Sequence, residues 1–221
     1  MIDACNVTKE FKTSAGPVRA LDDLNLTVQS GEFVIVHGAS GSGKTTLLQT
    51  LGGMQRPSSG SVEFQSQNIY GLTAGRRNGY RQRHVGFIFQ KLFLVPYLSA
   101  FDNIRLALVV GRYGGSHRQR IHDLVERFGL VDRLHHRPAE MSVGEQQRIA
   151  AARAVAAEPD LILADEPTGN LDRANSDVFA EFLQEENRQG RTIVLVTHSD
   201  HLLDLGNRRV KLASGRIVEN N

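Results

Sequence analysis

The run from Gly38 to Thr45, G-A-S-G-S-G-K-T, has the residue types and spacing of a phosphate-binding loop. Gly38, Gly41 and Gly43 allow the backbone to fold close around an anion, so that several N–H groups point inward. A helix starting from such a loop adds its partial positive charge. The main chain through Gly38, Ala39, Ser40, Gly41, Ser42, Gly43, Lys44, Thr45 and Thr46 would form the cradle. Lys44 would reach the β- and γ-phosphates of a nucleoside triphosphate, and Thr45 would offer its hydroxyl to Mg²⁺. A glycine-rich turn could match by accident. The flanks argue otherwise, with the apolar run 33–36 before the loop and the helix-like run 46–51 after it.

Further downstream, Asp165 and Glu166 follow the short apolar run Leu161-Ile162-Leu163-Ala164. An acid at the carboxyl end of a buried parallel strand faces the crevice where ligands bind. Asp165 suits a role in holding Mg²⁺, directly or through water. Glu166 is placed to polarise an attacking water as general base. His198 follows another apolar run, 192–197, and could hydrogen-bond a γ-phosphate or that water. Gln90 ends the run 85–90 and could coordinate Mg²⁺ or water; taken alone it is an ordinary polar strand end. The other seven histidines, His135 and His136 among them, lack metal-ligand spacing and a strand-end setting. They read as surface or core residues.

The elements that must position these groups alternate between strands and helices. Residues 2–9, 18–28, 32–37, 61–64, 84–89, 161–164 and 192–197 read as strands, and 208–219 as a hairpin turning at Ser214-Gly215. Residues 44–54, 99–110, 117–128, 142–157 and 176–189 read as helices. The fold class is therefore α/β: a core with a mainly parallel sheet and an N-terminal antiparallel β sub-domain. The chain is expected to be one domain over 1–221. Residues 1–91 and 158–221 would form the nucleotide-binding core, and 92–157 an inserted helical sub-domain without a core strand.

A length of 221 residues suffices for a real core. With 40% hydrophobic and 23% charged residues, the composition is that of an ordinary soluble chain. The net charge of +2 gives no argument for nucleic acid. The single cysteine, Cys5, excludes a disulfide framework and reads as a small buried thiol near the first strand. No apolar run reaches transmembrane length, and the N-terminus lacks the pattern of a secretory signal. A cytoplasmic location is expected. The most basic segment, Arg76 to His84, reads as a solvated face, with nucleic acid or anionic lipid as the less favoured partners.

One more motif changes the weight of all the others. Met141 to Arg148, M-S-V-G-E-Q-Q-R, opens a helix shortly before the strand that ends in Asp165. It resembles the L-S-G-G-Q signature of ATP-binding-cassette (ABC) ATPases. Phe11, the loop 38–45, Gln90, the signature 141–145, the strand and acids 161–166, the Asn170-Leu171-Asp172 loop and His198 then stand in that family's order. The resemblance covers nearly the full chain. The runs 86–90 (G-F-I-F-Q) and 164–172 (A-D-E-P-T-G-N-L-D), with Glu145, look most like the lipoprotein-release, macrolide-export and FtsE-type cassettes.

The resemblance implies ATP and Mg²⁺ as cofactors and a head-to-tail homodimer formed on ATP binding. Ser142, Gly144 and Glu145 would belong to the signature that meets the partner's nucleotide. Phe11 would stack on adenine, although tyrosine is commoner there, and Asp172 would lie at the dimer seam. A separate membrane permease would be contacted near Gln90 to Ala100, with Leu92, Phe93, Leu94 and Tyr97 as candidates. No nucleic-acid partner is expected. The chain would sit on the cytoplasmic face of the inner membrane, driving a mechanical, export-type partner. An FtsE-like regulator and a soluble non-transport ABC ATPase are the alternatives. Val143 stands where the family has the signature's first glycine, and a β-branched residue resists positive φ.

Overall fold

The computed structural model describes residues 1–221 apart from Ala15 and Asn170, so the expectation for Asn170 lies outside the described residues. The strands are β1 (Ile2–Thr13), β2 (Gly16–Val28), β3 (Phe33–His37), β4 (Ser59–Phe64), β5 (Gln67–Asn68), β6 (Val85–Ile88), β7 (Leu161–Asp165), β8 (Thr192–Val196), β9 (Arg208–Ala213) and β10 (Arg216–Asn220). The helices are α1 (Lys44–Leu51), α2 (Ala74–His84), α3 (Ala100–Val110), α4 (His117–Arg127), α5 (Val143–Val155) and α6 (Arg173–Arg188). Strands β2-β1-β4-β5 make an antiparallel sheet, and β10-β9-β3-β8-β7-β6 a second sheet. In the second, β9, β3, β8, β7 and β6 run parallel, with β10 antiparallel at the edge.

Strands β3, β7 and β8 are apolar along almost their whole length because both faces of this sheet are covered. Alternate residues feed two separate cores. Phe33, Ile35, Ile162, Ala164, Ile193 and Leu195 pack with α3, α4, α5 and α6. Val34, Val36, Leu161, Leu163, Val194 and Val196 pack with Leu47, Leu48 and Leu51 of α1 and with the antiparallel sheet. The parallel sheet is thus the middle layer, and its carboxyl ends form the rim on which chemistry is placed.

Five helices begin at side-chain caps, which fixes where their first turns point. Thr73, Ser99, Ser116 and Ser142 accept from backbone N–H groups of α2, α3, α4 and α5. Asp172 does the same for α6, which therefore starts three residues before the position read from apolar spacing. Helix α2 was not legible as a helix, because Tyr80 is its only buried residue. It is held from outside: the Tyr80 hydroxyl donates to Leu51 O at 3.1 Å and Arg81 to Gly53 O at 2.8 Å.

Cys5 is exposed, against the expectation of a buried thiol. The cause is the strand's own alternation: Ala4 faces inward, so its neighbour Cys5 faces outward. Ile2 and Ala4 face inward, and the register of β1 then shifts between Ala4 and Val7 so that Val7 also faces inward. Asn6 sits in the bulge at φ 49 with its amide donating to Asp23.

Candidate functional site

The loop after β3 takes a shape that only glycine permits at its two ends. A Cβ on Gly38 would stand 2.1 Å from Leu212 O, and one on Gly43 would stand 2.2 Å from Ala20 O. Both have positive φ, 149° and 105°. Gly43 caps α1, whose first residue is Lys44. The Lys44 ammonium donates to Gly38 O at 2.8 Å and Ala39 O at 2.9 Å, so the charge is held across the mouth of the loop.

The loop borders a cavity of about 590 Å³, formed by Gly38, Ala39, Ser40, Gly41 and Gly43 with Lys44, Thr45 and Thr46. Gln90, Glu166 and His198 close it from the ends of three neighbouring strands. Ser42 is buried beneath the loop. Asp165 reaches the site from below, where its Oδ1 accepts from Thr45 Oγ1 at 3.1 Å. Burial pushes the Asp165 carboxyl up; the Thr45 hydrogen bond opposes this, the Glu166 charge adds to it and Lys44 opposes it. Glu166 Oε2 lies 2.7 Å from His198 Nδ1 and also accepts from the His198 backbone N–H at 3.3 Å. Glu166 has φ 46, an uncommon value for a side-chain-bearing residue, and its own N–H is fixed to Val196 O. The carboxylate is largely shielded, while His198 is exposed.

The other sequence-derived candidates lie outside this cavity. Phe11 is half-exposed near the end of β1, with Lys9 Nζ 5.1 Å from its ring centroid. Asp172 borders a smaller cavity of about 300 Å³ that shares Glu166 and His198. Ser142 and Glu145 form a reciprocal cap at the start of α5. Ser142 Oγ accepts from the Glu145 N–H, and Glu145 Oε2 accepts from the Ser142 N–H at 2.7 Å. Arg133 Nε donates to Glu145 Oε1 at 2.7 Å. The Arg133 guanidinium and the Ser142 N–H hold this carboxyl down at about 2. Val143 is the first residue of α5 in ordinary helical conformation, so positive φ is not required of it. Its side chain is exposed.

Several residues that shape the site gave no signal in the sequence. Arg148 of α5 donates to the Asn175 amide oxygen, and Asn175 donates to Asp172 Oδ1 at 2.9 Å, tying the signature helix to the cap of α6. His201 links Ser176 of α6 at 2.7 Å to Ser199 at 2.6 Å, next to His198. Arg153 donates to Leu92 O at 2.7 Å and Phe93 O at 2.6 Å. The Arg148–Asn175, His201–Ser176 and Arg153–Phe93 contacts join residues far apart in sequence, beyond the reach of spacing rules.

A family profile described as "ABC transporter" matches residues 21–169. The chain belongs to the ABC transporter family. The lipoprotein-releasing system ATP-binding protein LolD of Geobacter metallireducens is 40% identical over 220 residues, 99% of this chain and 98% of LolD. The macrolide export ATP-binding/permease protein MacB of Rhodopseudomonas palustris (strain HaA2) is 41% identical over 98% of this chain. The chain spans about a third of the length of that MacB, 33%. A dimeric structure of a post-hydrolysis state of the ATP-binding cassette MJ0796, bound to ADP and Pi, superposes with a TM-score of 0.95. It is 34% identical and covers 100% of this chain and 98% of that one. The fold is that of an ABC ATPase cassette.

Proposed function

We propose that this cassette is the ATP-hydrolysing subunit of an export-type transporter, working as a head-to-tail homodimer beneath a membrane permease. The observation that carries it is the convergence of Lys44, the Thr45–Asp165 pair and the Glu166–His198 pair on one cavity. In this reading the N–H groups of the loop and the Lys44 ammonium bind the phosphates. Glu166 accepts the proton of the attacking water, and His198 holds the carboxylate in place and contacts the γ-phosphate. Phe11 stacks on adenine.

The donors suit magnesium. Thr45 Oγ1 and Asp165 Oδ1 are hard oxygens 3.1 Å apart, and Gln90 offers another across the cavity. Bound there, Mg²⁺ would neutralise charge developing on the β- and γ-phosphates.

Ser142, Gly144 and Glu145 lie away from this subunit's own cavity, which supports a site completed by a second copy. The exposed Ser142 and the N-terminus of α5 would meet the partner's γ-phosphate, and Asp172 would lie at the seam. The dimeric state of MJ0796 supports the same arrangement. Residues 92–157, which carry α3, α4 and α5, would act as a helical sub-domain.

Phe93 and Tyr97 are exposed on the segment following Gln90, and Arg153 anchors that segment to α5. They are the proposed contact with the permease, with Leu92 beside them, whereas Leu94 packs against the core. Among the described residues, no helix is long and apolar enough to cross a membrane. The match to LolD over nearly its whole length supports a separate permease and a place on the cytoplasmic membrane face.

Purification of the Glu166→Gln protein from detergent-solubilised membranes in MgATP tests this reading. A co-purifying polytopic subunit with a large extracytoplasmic part supports it. Recovery of soluble proteins or nucleic acid alone would remove the membrane role.

A further inference from the structure

A second cavity, of about 370 Å³, lies between α2 and the β4–β5 hairpin. Its floor is apolar, made by Phe64, Ile69, Leu72 and Tyr80. The Phe64 and Tyr80 rings meet edge to face with centroids 5.0 Å apart. The rim is cationic. Arg76 and Arg83 both line it from one face of α2, two turns apart, and no carboxylate lines it. Neither arginine has an acidic partner among the described residues, whereas His84 beside them is already engaged by Asp160 at 2.6 Å.

Two local choices keep this space open. Gly79 lies between the arginines inside α2, where glycine is the least favourable residue short of proline. Its φ is not in the left-handed region, and a Cβ there would meet only the Arg83 guanidinium, at 3.5 Å. Packing therefore does not call for glycine; the missing side chain leaves the gap between the cations clear. At the hairpin, Gln65 and Ser66 take φ of 49° and 64°. Asn-Gly is favoured in such a turn, yet this turn carries Gln65, whose side chain lines the cavity.

We propose that this cavity binds an amphiphilic anion. A phosphate or carboxylate would lie between Arg76 and Arg83, and an apolar or aromatic body would rest on the Phe64–Tyr80 floor. The volume falls in the range of small-molecule sites, and paired guanidinium groups suit such oxyanions. A free phosphate ester and a lipid phosphate headgroup present the same chemistry. The site does not compete with nucleotide: Tyr80 holds the end of α1 opposite to Lys44.

The test is calorimetric titration of phenyl phosphate into the full chain saturated with ADP, after ADP affinity has been measured separately. Saturable binding is expected, at least tenfold tighter than that of inorganic phosphate. Gly79→Leu should weaken it at least tenfold with ADP affinity unchanged, and Arg76→Ala should weaken it likewise. Co-sedimentation with phosphatidylcholine vesicles, with and without phosphatidic acid, separates the sources. Pelleting that depends on phosphatidic acid and is lost in Gly79→Leu assigns a lipid phosphate; phenyl phosphate binding without pelleting assigns a free ester. Absence of both, or binding that Gly79→Leu leaves intact, overturns the proposal.

Discussion

Glu166 and His198 are 32 residues apart in sequence, yet a carboxylate oxygen of one lies 2.7 Å from Nδ1 of the other. The contact joins the ends of neighbouring parallel strands, β7 and β8, and brings both groups to the cavity bordered by the glycine loop. Glu166→Gln keeps the shape and hydrogen bonding of the side chain but removes its basicity. Hydrolysis is expected to fall by about 10²-fold or more, with MgATP binding retained and the closed dimer stabilised. Single-turnover kinetics beside equilibrium nucleotide binding would show the separation. Near-normal turnover would take Glu166 out of the general-base role.

Lys44→Ala removes the one ammonium at the mouth of the loop. A charge-assisted hydrogen bond contributes about 1.5–3 kcal/mol, so ATP should bind roughly ten- to a hundredfold more weakly. Fluorescent-nucleotide titration reads this directly. Unchanged affinity would contradict the phosphate-loop assignment.

Val143 is helical, so backbone strain is not its cost. What remains is exposed bulk beside Ser142 and Gly144. Val143→Gly should raise the dimer fraction in ATP, and with it the hydrolysis rate, by several-fold. Analytical ultracentrifugation of a Glu166→Gln background gives the fraction. Equal fractions with and without the valine would mean that the side chain does not obstruct closure.

The cap of α5 carries a pH dependence. Glu145 titrates near 2 in the folded protein against an ordinary 4.5. The unfolded chain therefore takes up this proton first as pH falls. The stabilisation is complete above 4.5, declines as pH falls through that window and is gone below about 2. The gap in urea midpoint between the wild type and Glu145→Gln should narrow from about pH 6 to about pH 3. A constant gap would place the stabilisation elsewhere.

Glu186 is fully buried between Arg127 and Arg191, each with an N–O distance of 2.8 Å. Glu186→Ala leaves two cations facing a void and should destabilise the fold by about 3–5 kcal/mol. Chemical denaturation measures it. A loss under a third of that would show that the arginines find water instead.

The placement of the cavity residues was legible where a local pattern dictates it. The loop 38–45 is written in glycine spacing, and Asp165, Glu166 and His198 stand at the ends of apolar runs that form the interior strands β7 and β8. Helix α2 was not legible, because one buried residue gives no periodicity. Cys5 was misplaced because a lone thiol is usually buried, whereas the alternation set by Ile2 and Ala4 puts it on the outer face. The roles of His201, Asn175 and Arg153 depend on partners 25, 27 and 60 residues away. Such pairings exist only once the layers are stacked. Val143 shows the reverse error: a motif departure suggested backbone strain, and the helix start absorbs it without any.

Helix α1 begins at Lys44 and ends where Tyr80 and Arg81 seize the carbonyls of Leu51 and Gly53. Helix α2 then runs straight into β6, at whose far end stands Gln90. The two walls of the cavity beside Lys44 are thereby braced against each other through a strut. The brace grips main-chain oxygens, which every amino acid possesses. A substitution at Leu51 would therefore leave the brace its acceptor, whereas one at Tyr80 or Arg81 would remove a donor.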